Sequence, residues 1–139
     1  STIAGFAALG ADVIVVAPRT LLPPVVDVPV VSDLDEVIGE LDVIYLLRMQ
    51  QERMSDALVP TLREYTERFG LTPERARRLP EQALIMHPGP MNRGVEMAVD
   101  PAELPGAVIT QQVTNGIAVR MAVLFDLLGS GASLAEDAA

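Results

Sequence analysis

An arginine and a glutamine follow an apolar segment at a spacing that could hold an anion. Arg48 comes directly after the run 42–47, which is typical of a buried strand, and Gln50 lies two residues further on. The planar guanidinium of arginine matches a carboxylate or phosphate with two parallel hydrogen bonds, and an amide can donate to the same ligand. Glu52 could orient Arg48 by an ion pair. The alternative is a surface arginine that pairs with Glu52 and binds no ligand, and the sequence leaves both interpretations open.

The second candidate segment is the loop 87–94, which reads His-Pro-Gly-Pro-Met-Asn-Arg-Gly. Prolines stiffen such a loop and lack a backbone donor, and glycine lets a ligand approach the backbone closely. We therefore expect the backbone of Gly89 and Pro90 to contact a ligand, and the bond between them is a candidate for the cis form. His87 could be a general acid or base, but we favour a packed, hydrogen-bonded core residue.

A third polar segment, 111–116, opens the last predicted helix with the sequence Gln-Gln-Val-Thr-Asn-Gly. Its amide side chains could bind polar groups of a ligand. We favour a helix start whose polar groups face protein partners.

The remaining charged residues predict solvated surfaces. Arg75, Arg77 and Arg78 stand among acidic residues and suit an exposed helix face. The acids between residues 33 and 42 are likewise expected to be exposed, and they lack the spacing of a metal site. No glycine-rich phosphate loop or dinucleotide fingerprint occurs in the sequence.

The elements that must position these segments alternate along the chain. Apolar runs predict strands and helical spacing predicts helices, with strands at 12–17, 42–47, 83–86 and 106–110 and helices at 1–9, 32–39, 56–69, 72–78 and 111–128. This alternation predicts an α/β fold, a three-layer α/β/α arrangement with a central parallel sheet. Ligands of such sheets bind beyond the carboxyl ends of the strands. Ala17-Pro18 and the two candidate segments at Arg48 and His87 all follow predicted strands.

Composition excludes several classes of function. The chain has 139 residues, a net charge of -9, one histidine and no cysteine. This length predicts one domain. The missing cysteines exclude a disulfide framework and a thiolate metal site, and we expect no metal and no cofactor. The acidic charge argues against nucleic acid as a partner, and no apolar run has the length of about 20 residues that spans a bilayer.

Three segments together resemble the aspartate carbamoyltransferases. They are Leu-Leu-Arg-Met-Gln-Gln-Glu-Arg, Met-His-Pro-Gly-Pro-Met-Asn-Arg and Gln-Gln-Val-Thr-Asn-Gly-Ile-Ala-Val-Arg, at 46–53, 86–93 and 111–120. They occur in the family's order and with its spacing, and the resemblance runs from Ser1 to about Gly129. The related ornithine enzymes carry a cysteine in the loop at the His-Pro position, so the aspartate enzymes fit better.

The resemblance implies transfer of the carbamoyl group of carbamoyl phosphate to L-aspartate, giving N-carbamoyl-L-aspartate and phosphate, an early step of cytoplasmic pyrimidine synthesis. Residues 1–129 would be the aspartate-binding domain of a two-domain subunit, and 130–139 a flexible tail. Helix 112–128 would pack on the carbamoyl-phosphate domain, in a homotrimer with or without regulatory chains. Because the family's catalytic groups belong to the other domain, we expect no catalytic residue here and no activity from the 139 residues alone.

The resemblance also implies roles for single residues. Arg48 matches the arginine that holds a carboxylate of aspartate, and Gln50 matches the glutamine beside it. Gly89 and Pro90 match the pair whose backbone contacts carbamoyl phosphate and whose peptide bond is cis. Glu52 matches a glutamate linked to the arginine.

Other inferences limit these roles. His87 is a supporting residue, because it does not match the family's catalytic histidine. A second aspartate-binding arginine is expected immediately before Ser1. Two alternatives remain: a carbamoyltransferase-fold enzyme for another amino acid, and a non-catalytic binding domain. Arg48 with Gln50 favours a short dicarboxylate over ornithine.

Overall fold

The computed structural model describes residues 2–49 and 61–136, with side chains described as far as residue 129. Short strands alternate with helices and single 3₁₀ turns in this part of the chain. The helices and strands are α1 (Thr2–Ala8), β1 (Val15–Val16), β2 (Val30–Val31), β3 (Val43–Tyr45), α2 (Leu62–Phe69), α3 (Pro73–Ala76), β4 (Leu84–Met86) and α4 (Ile109–Glu136).

The strands pair in parallel, as the alternation predicts. β1 pairs with β2, and β3 pairs with β4 in the register Val43 to Leu84 and Tyr45 to Met86. Within the described ranges, no bridge joins one pair to the other. The connection from β3 to β4 contains α2 and α3, whereas the connection from β1 to β2 contains only a 3₁₀ turn, Arg19–Leu21.

The pair formed by β1 and β2 differs in two ways from the elements predicted from the sequence. β2 was not predicted, and β1 is shorter than the predicted 12–17 because its partner is short. Pro29 precedes β2, and a turn begins at Asp33, whose side chain accepts a hydrogen bond from the Asp35 N–H. The predicted helix 32–39 is therefore two 3₁₀ turns, Leu34–Glu36 and Ile38–Glu40.

The predicted fourth strand, 106–110, is reduced to a single bridge between Ala107 and Ile85. Gly106 packs against the backbone of Ala83 so closely that a Cβ atom on Gly106 would lie 2.2 Å from the Ala83 oxygen. Only glycine allows this approach. α4 then begins at Ile109, before a longer strand can form.

The hydrophobic core lies around β3 and β4. Its buried members come from both strands and from the turns and loops beside them, and they are Leu34, Ile38, Ile44, Leu46, Leu71, Ile85, Met97 and Ile109. The core therefore holds the ends of β3 and β4 in fixed positions. The segments that follow β3 and β4, at Arg48 and His87, are therefore anchored at their first residues.

Arg75 corrects the prediction of a solvated arginine face, because it is only 3% exposed. Its guanidinium donates to the Gly70 oxygen at 2.9 Å and to the carboxylates of Asp33 and Asp35 at 3.0 and 2.8 Å. Arg78 also binds Asp35. Two of the acids expected to be plain surface charges thus satisfy a buried cation, which would otherwise be costly to desolvate.

These contacts predict a loss of stability in acid. The hydrogen bond from Arg75, together with the charges of Arg75 and Arg78, lowers the pKa of Asp35 against the opposing effect of burial. A carboxyl whose pKa is lower in the folded state stabilises the fold above its unfolded pKa, and this contribution disappears as the pH falls through the folded pKa. Asp35→Asn should therefore cost at most about 1 kcal/mol at pH 7, since the side chain is 44% exposed and screened. The difference between the variant and the parent should begin to shrink below pH ~4 and disappear below the folded pKa of Asp35.

Urea unfolding between pH 2 and 7 measures this difference. Asp27→Asn, at an exposed carboxyl in the loop before β2, is the control. A difference between Asp35→Asn and the parent that persists unchanged at pH 2 would contradict the prediction.

The long helix α4 continues to Glu136, past the predicted end at Leu128. Ile109 is the one buried side chain among residues 109–129. Apolar residues that a core would normally cover are exposed on this helix, among them Val119, Met121, Phe125 and Leu127 at 62–75%. The predicted flexibility of 130–139 stays a prediction. Of the helices within 2–49 and 61–136, none combines the length and the apolar composition needed to cross a membrane.

Candidate functional site

The parallel pairing of β3 and β4 brings two of the predicted segments to one edge. Tyr45 and Met86 are register partners at the ends of the two strands, and the Leu46 N–H donates to the Met86 oxygen at 2.9 Å. Arg48 and the loop that begins at His87 therefore leave the sheet side by side. This is the arrangement expected from the rule for carboxyl ends of parallel strands.

Asn92 connects the loop to the arginine segment. Its Nδ2 donates to the Met49 oxygen at 2.8 Å, and its Oδ1 accepts from Nε of Arg48 at 3.4 Å. The orientation of the amide is fixed by chemistry, because a carbonyl can only accept and a guanidinium can only donate. Arg48 is half-buried, as is Asn92.

Glu96 lies beneath these contacts and is 1% exposed. Its Oε1 accepts from the Asn92 N–H at 2.5 Å and faces His87 Nε2 at 3.3 Å, and its Oε2 accepts from the Met49 N–H at 3.4 Å. Three donors from two segments thus meet one buried carboxylate. Glu96 fixes the backbone of both segments relative to each other.

His87 is completely buried. The Gly89 N–H donates to Nδ1 at 2.9 Å, so Nδ1 is the acceptor and Nε2 carries the proton that points at Glu96. Both ring nitrogens are used within the protein. This is the packed, hydrogen-bonded arrangement favoured for His87 over a general acid or base.

Gln112 attaches the start of α4 to the same edge. Its Oε1 accepts from the His87 N–H at 2.9 Å, and its Nε2 donates to the Tyr45 hydroxyl at 3.3 Å. The side chain therefore joins both strand ends to the helix. The favoured interpretation of segment 111–116, a helix start with polar groups that face protein partners, therefore describes Gln112, whereas Gln111, Thr114 and Asn115 are exposed.

The other predicted site residues have different outcomes. The Gly89–Pro90 peptide bond is cis, and Gly89 has a φ of 64°. Gln50 and Glu52 lie outside the described residues. Ala17-Pro18 follows β1, which pairs with β2, and Ala17 lines the same cavity as Arg48.

An apolar cavity of about 400 Å³ adjoins the site. Arg48, Met49 and Glu96 line it together with aromatic and aliphatic side chains that include Phe6 and Tyr65. Burial, and secondarily the charge of Glu96, raises the pKa of Tyr65 above its ordinary value. The walls of this cavity offer a dianion little besides Arg48, so the polar edge formed by Arg48 and loop 87–92 is the candidate site.

Among the described residues, no three His, Cys, Asp or Glu side chains are grouped as metal ligands.

Sequence reasoning missed Asn92 and Glu96 as organisers of this edge. Asn92 lies inside a segment that was singled out for its prolines and glycines. Glu96 is a lone acid between Val95 and Met97, and an acid with apolar neighbours is a weak signal of burial. No spacing rule connects either residue to Arg48, more than 40 positions earlier.

Comparisons with known proteins identify the family of the chain. Residues 1–127 match the family model described as aspartate/ornithine carbamoyltransferase, Asp/Orn binding domain. A relative from Acidothermus cellulolyticus named aspartate carbamoyltransferase catalytic subunit is 52% identical over 126 residues, which are 88% of this chain and 39% of the relative. A relative of the same name from Parafrankia sp. is 54% identical over 128 residues, 89% of this chain and 41% of the relative. The chain thus spans about two fifths of the length of the relatives it matches.

Solved structures of aspartate transcarbamoylases also resemble this chain. Aspartate transcarbamoylase from Trypanosoma cruzi in complex with carbamoyl phosphate superposes with a TM-score of 0.68 at 28% identity, covering 81% of this chain and 39% of that one. The same enzyme in complex with N-(phosphonacetyl)-L-aspartic acid gives a TM-score of 0.67 at 28% identity over the same shares. These matches confirm the α/β fold class predicted from the sequence. The chain belongs to the aspartate/ornithine carbamoyltransferase family, in which it matches the Asp/Orn binding domain.

Proposed function

We propose that this chain supplies the aspartate-binding half of an enzyme that transfers the carbamoyl group of carbamoyl phosphate to L-aspartate. The observation that supports this most is the meeting of Arg48 and loop 87–92 at one strand edge, joined by Asn92 and Glu96. The relatives named above are aspartate carbamoyltransferases. An acidic chain can hold a dianionic substrate only by local positive charge, and Arg48 provides it.

In this proposal each residue at the edge has a role. Arg48 binds a carboxylate of aspartate through its guanidinium fork, Gln50 donates an amide beside it, and Glu52 supports Arg48. The backbone at Gly89 and Pro90 contacts carbamoyl phosphate. The amine of aspartate then attacks the carbamoyl carbon, the bond from this carbon to the phosphate oxygen breaks, and the amine loses a proton.

The contribution of this half is to position the reactants. Holding the amine against the carbamoyl carbon replaces a bimolecular encounter and can lower a barrier by several kcal/mol, about 7–11 in favourable cases. Stabilising the developing oxyanion and the leaving phosphate falls to the carbamoyl-phosphate half. The 139 residues alone are therefore expected to form no carbamoyl aspartate.

The exposed apolar face of α4 supports a partner domain in this proposal. Its side chains from Val113 to Leu128 include nine large apolar residues that are 47–75% exposed. A patch of this kind usually marks an interface. We propose that the carbamoyl-phosphate domain covers it, and we take the homotrimer, any regulatory chains and the cytoplasmic location from the family resemblance alone.

A chimera tests the proposal. The matching segment of the Acidothermus cellulolyticus relative is replaced by this chain, and the formation of carbamoyl aspartate is measured for the chimera, for the relative and for the 139 residues alone. We expect the chimera to be active with L-aspartate and inactive with L-ornithine. The 139 residues alone should be inactive and should bind a hydrophobic dye that the chimera does not bind.

Three outcomes would count against the proposal. A folded chimera without transfer to any amino acid would favour the non-catalytic binding domain. Transfer to another amino acid in preference to aspartate would favour the other enzymatic alternative. Turnover by the 139 residues alone would show that the two-half description is wrong.

A further inference from the structure

We infer that Asn92 is a positioning residue that sets the orientation of Arg48 for the carboxylate of the substrate. The inference rests on the proposed function and gives Asn92 a role in binding the substrate. Asn92 is half-buried at the carboxyl edge of β3 and β4, and both polar atoms of its side chain contact the arginine segment.

Two contacts hold Asn92 itself in place. Its backbone N–H donates to Glu96 Oε1 at 2.5 Å, and its Nδ2 donates to the Met49 oxygen at 2.8 Å. Glu96 in turn accepts from the Met49 N–H at 3.4 Å and contacts His87. The backbone of Asn92 is therefore held by Glu96 and its side-chain amide by the backbone of Met49, which leaves the amide little freedom to rotate.

The remaining polar atom of the Asn92 side chain faces Arg48. Oδ1 accepts from Nε at 3.4 Å, and this contact itself uses neither Nη atom of the guanidinium. A guanidinium is planar, so one hydrogen bond to Nε defines the direction in which the fork opens. Holding a binding group in one orientation reduces the rotamer freedom that is lost when the ligand binds.

The choice of an amide at position 92 has a specific consequence. A carboxylate there could also accept from Arg48, but it could not donate to the Met49 oxygen, and it would place a negative charge beside the group that binds an anionic substrate. A neutral acceptor orients the guanidinium without that competition. An asparagine at position 92 can therefore orient Arg48 without competing with the substrate, whereas an aspartate would compete.

The kinetic test uses the active chimera with three variants. Asn92→Ala should raise the KM for aspartate about 5- to 30-fold, which is the range expected when one or two hydrogen bonds that position the binding group are lost. Asn92→Asp should raise it further, because of the added charge. In both variants the KM for carbamoyl phosphate and the kcat at saturating aspartate should stay near the parent values. The control is Arg93→Gln, at an exposed arginine in the same loop whose only described ion pair is 3.6 Å to Asp100.

A double-variant cycle separates positioning from folding. If Asn92 acts through Arg48, then Asn92→Ala should have little further effect on the KM for aspartate in the Arg48→Gln background. A merely structural role would lower the fraction of active enzyme. That would reduce kcat with both KM values unchanged, and the two substitutions would act independently.

A spectroscopic measurement makes the test independent of activity. In the 139-residue chain, the Nε–H signal of Arg48, assigned by its loss in Arg48→Gln, should shift and exchange faster with solvent in Asn92→Ala and should not change in Arg93→Gln. An active chimera with unchanged aspartate KM in both Asn92 variants, or an unchanged Nε–H signal, would overturn the inference alone. An unsubstituted, folded chimera without activity would overturn the proposed function and this inference with it.

Discussion

Replacing Arg48 by glutamine should lower kcat/KM for aspartate about 100- to 1,000-fold in the active chimera. A hydrogen bond to a charged group contributes about 1.5–3 kcal/mol, and a bidentate contact makes two of them. The KM for carbamoyl phosphate should stay near the parent value, because Arg48 is not proposed to contact carbamoyl phosphate. The measurement is initial-rate kinetics with each substrate varied in turn.

The matched variants show which property of Arg48 is needed. Arg48→Lys keeps the charge and loses the planar fork, so we expect an intermediate loss. Arg93→Gln removes an exposed arginine of the adjacent loop and should leave both KM values near those of the parent, since an exposed ion pair contributes about 0–1 kcal/mol. An Arg48→Gln enzyme with aspartate kinetics close to those of the parent would remove Arg48 from the substrate site.

The position of Arg48 beside loop 87–92 could be predicted from the sequence. Two apolar runs, each followed at once by polar residues, predict parallel strands whose carboxyl ends face the same crevice. The prolines and glycines of the loop likewise indicated its unusual backbone and the cis bond at Pro90. These are local signals, and each depends on a few neighbouring residues.

The contacts that join the two segments could not be predicted in this way. Glu96 binds two backbone N–H groups, and every residue except proline has one, so the identity of its partners leaves no trace in the sequence. The burial of Arg75 depends on carboxylates 40 and 42 positions away. β2 was missed because two valines after a proline carry no periodic pattern. Polar contacts between residues far apart in the sequence could not be predicted, whereas the strands and the loop could be predicted from neighbouring residues.

The apolar face of α4 could be predicted from the sequence, but the molecule that covers it could not. The stripe of Ile117, Met121 and Leu124 was visible from its helical spacing, but spacing shows only that a face is apolar. It does not show which molecule covers that face. In the structure the stripe and the neighbouring residues Val119 and Val123 are all exposed, so the periodicity predicted a helix and left its partner undetermined.

Replacing Glu96 by alanine should be the most destabilising single change at the site, with a loss of about 3–5 kcal/mol in the free energy of unfolding. The substitution leaves three donors, two of them backbone N–H groups, without their acceptor in a position that is 1% exposed. Each buried donor left unsatisfied costs about 1–3 kcal/mol. Urea unfolding of the 139-residue chain, followed by circular dichroism, measures the loss.

Two variants test this explanation. Glu96→Gln can keep an oxygen at the Oε1 position, where His87 and Asn92 are bound, but its amide nitrogen then faces the Met49 N–H as a second donor, so we expect a cost of about 1–3 kcal/mol. Glu81→Ala, at an exposed acid before β4, should change stability by less than about 0.5 kcal/mol. Equal losses in the Gln and Ala variants would show that the charge of Glu96 matters more than its hydrogen bonds.

The apolar double variant His87→Leu with Glu96→Leu separates the side-chain pair from the backbone contacts. Replacing both members of a buried polar pair by apolar residues is often neutral or stabilising, because the desolvation cost disappears with the pair. Here the N–H groups of Met49 and Asn92 remain whatever side chains stand at positions 87 and 96. We therefore expect the double variant to stay destabilised by at least about 2 kcal/mol. A stability equal to that of the parent would mean that water or a rearranged loop satisfies these donors, and that Glu96 is not what holds the two segments together.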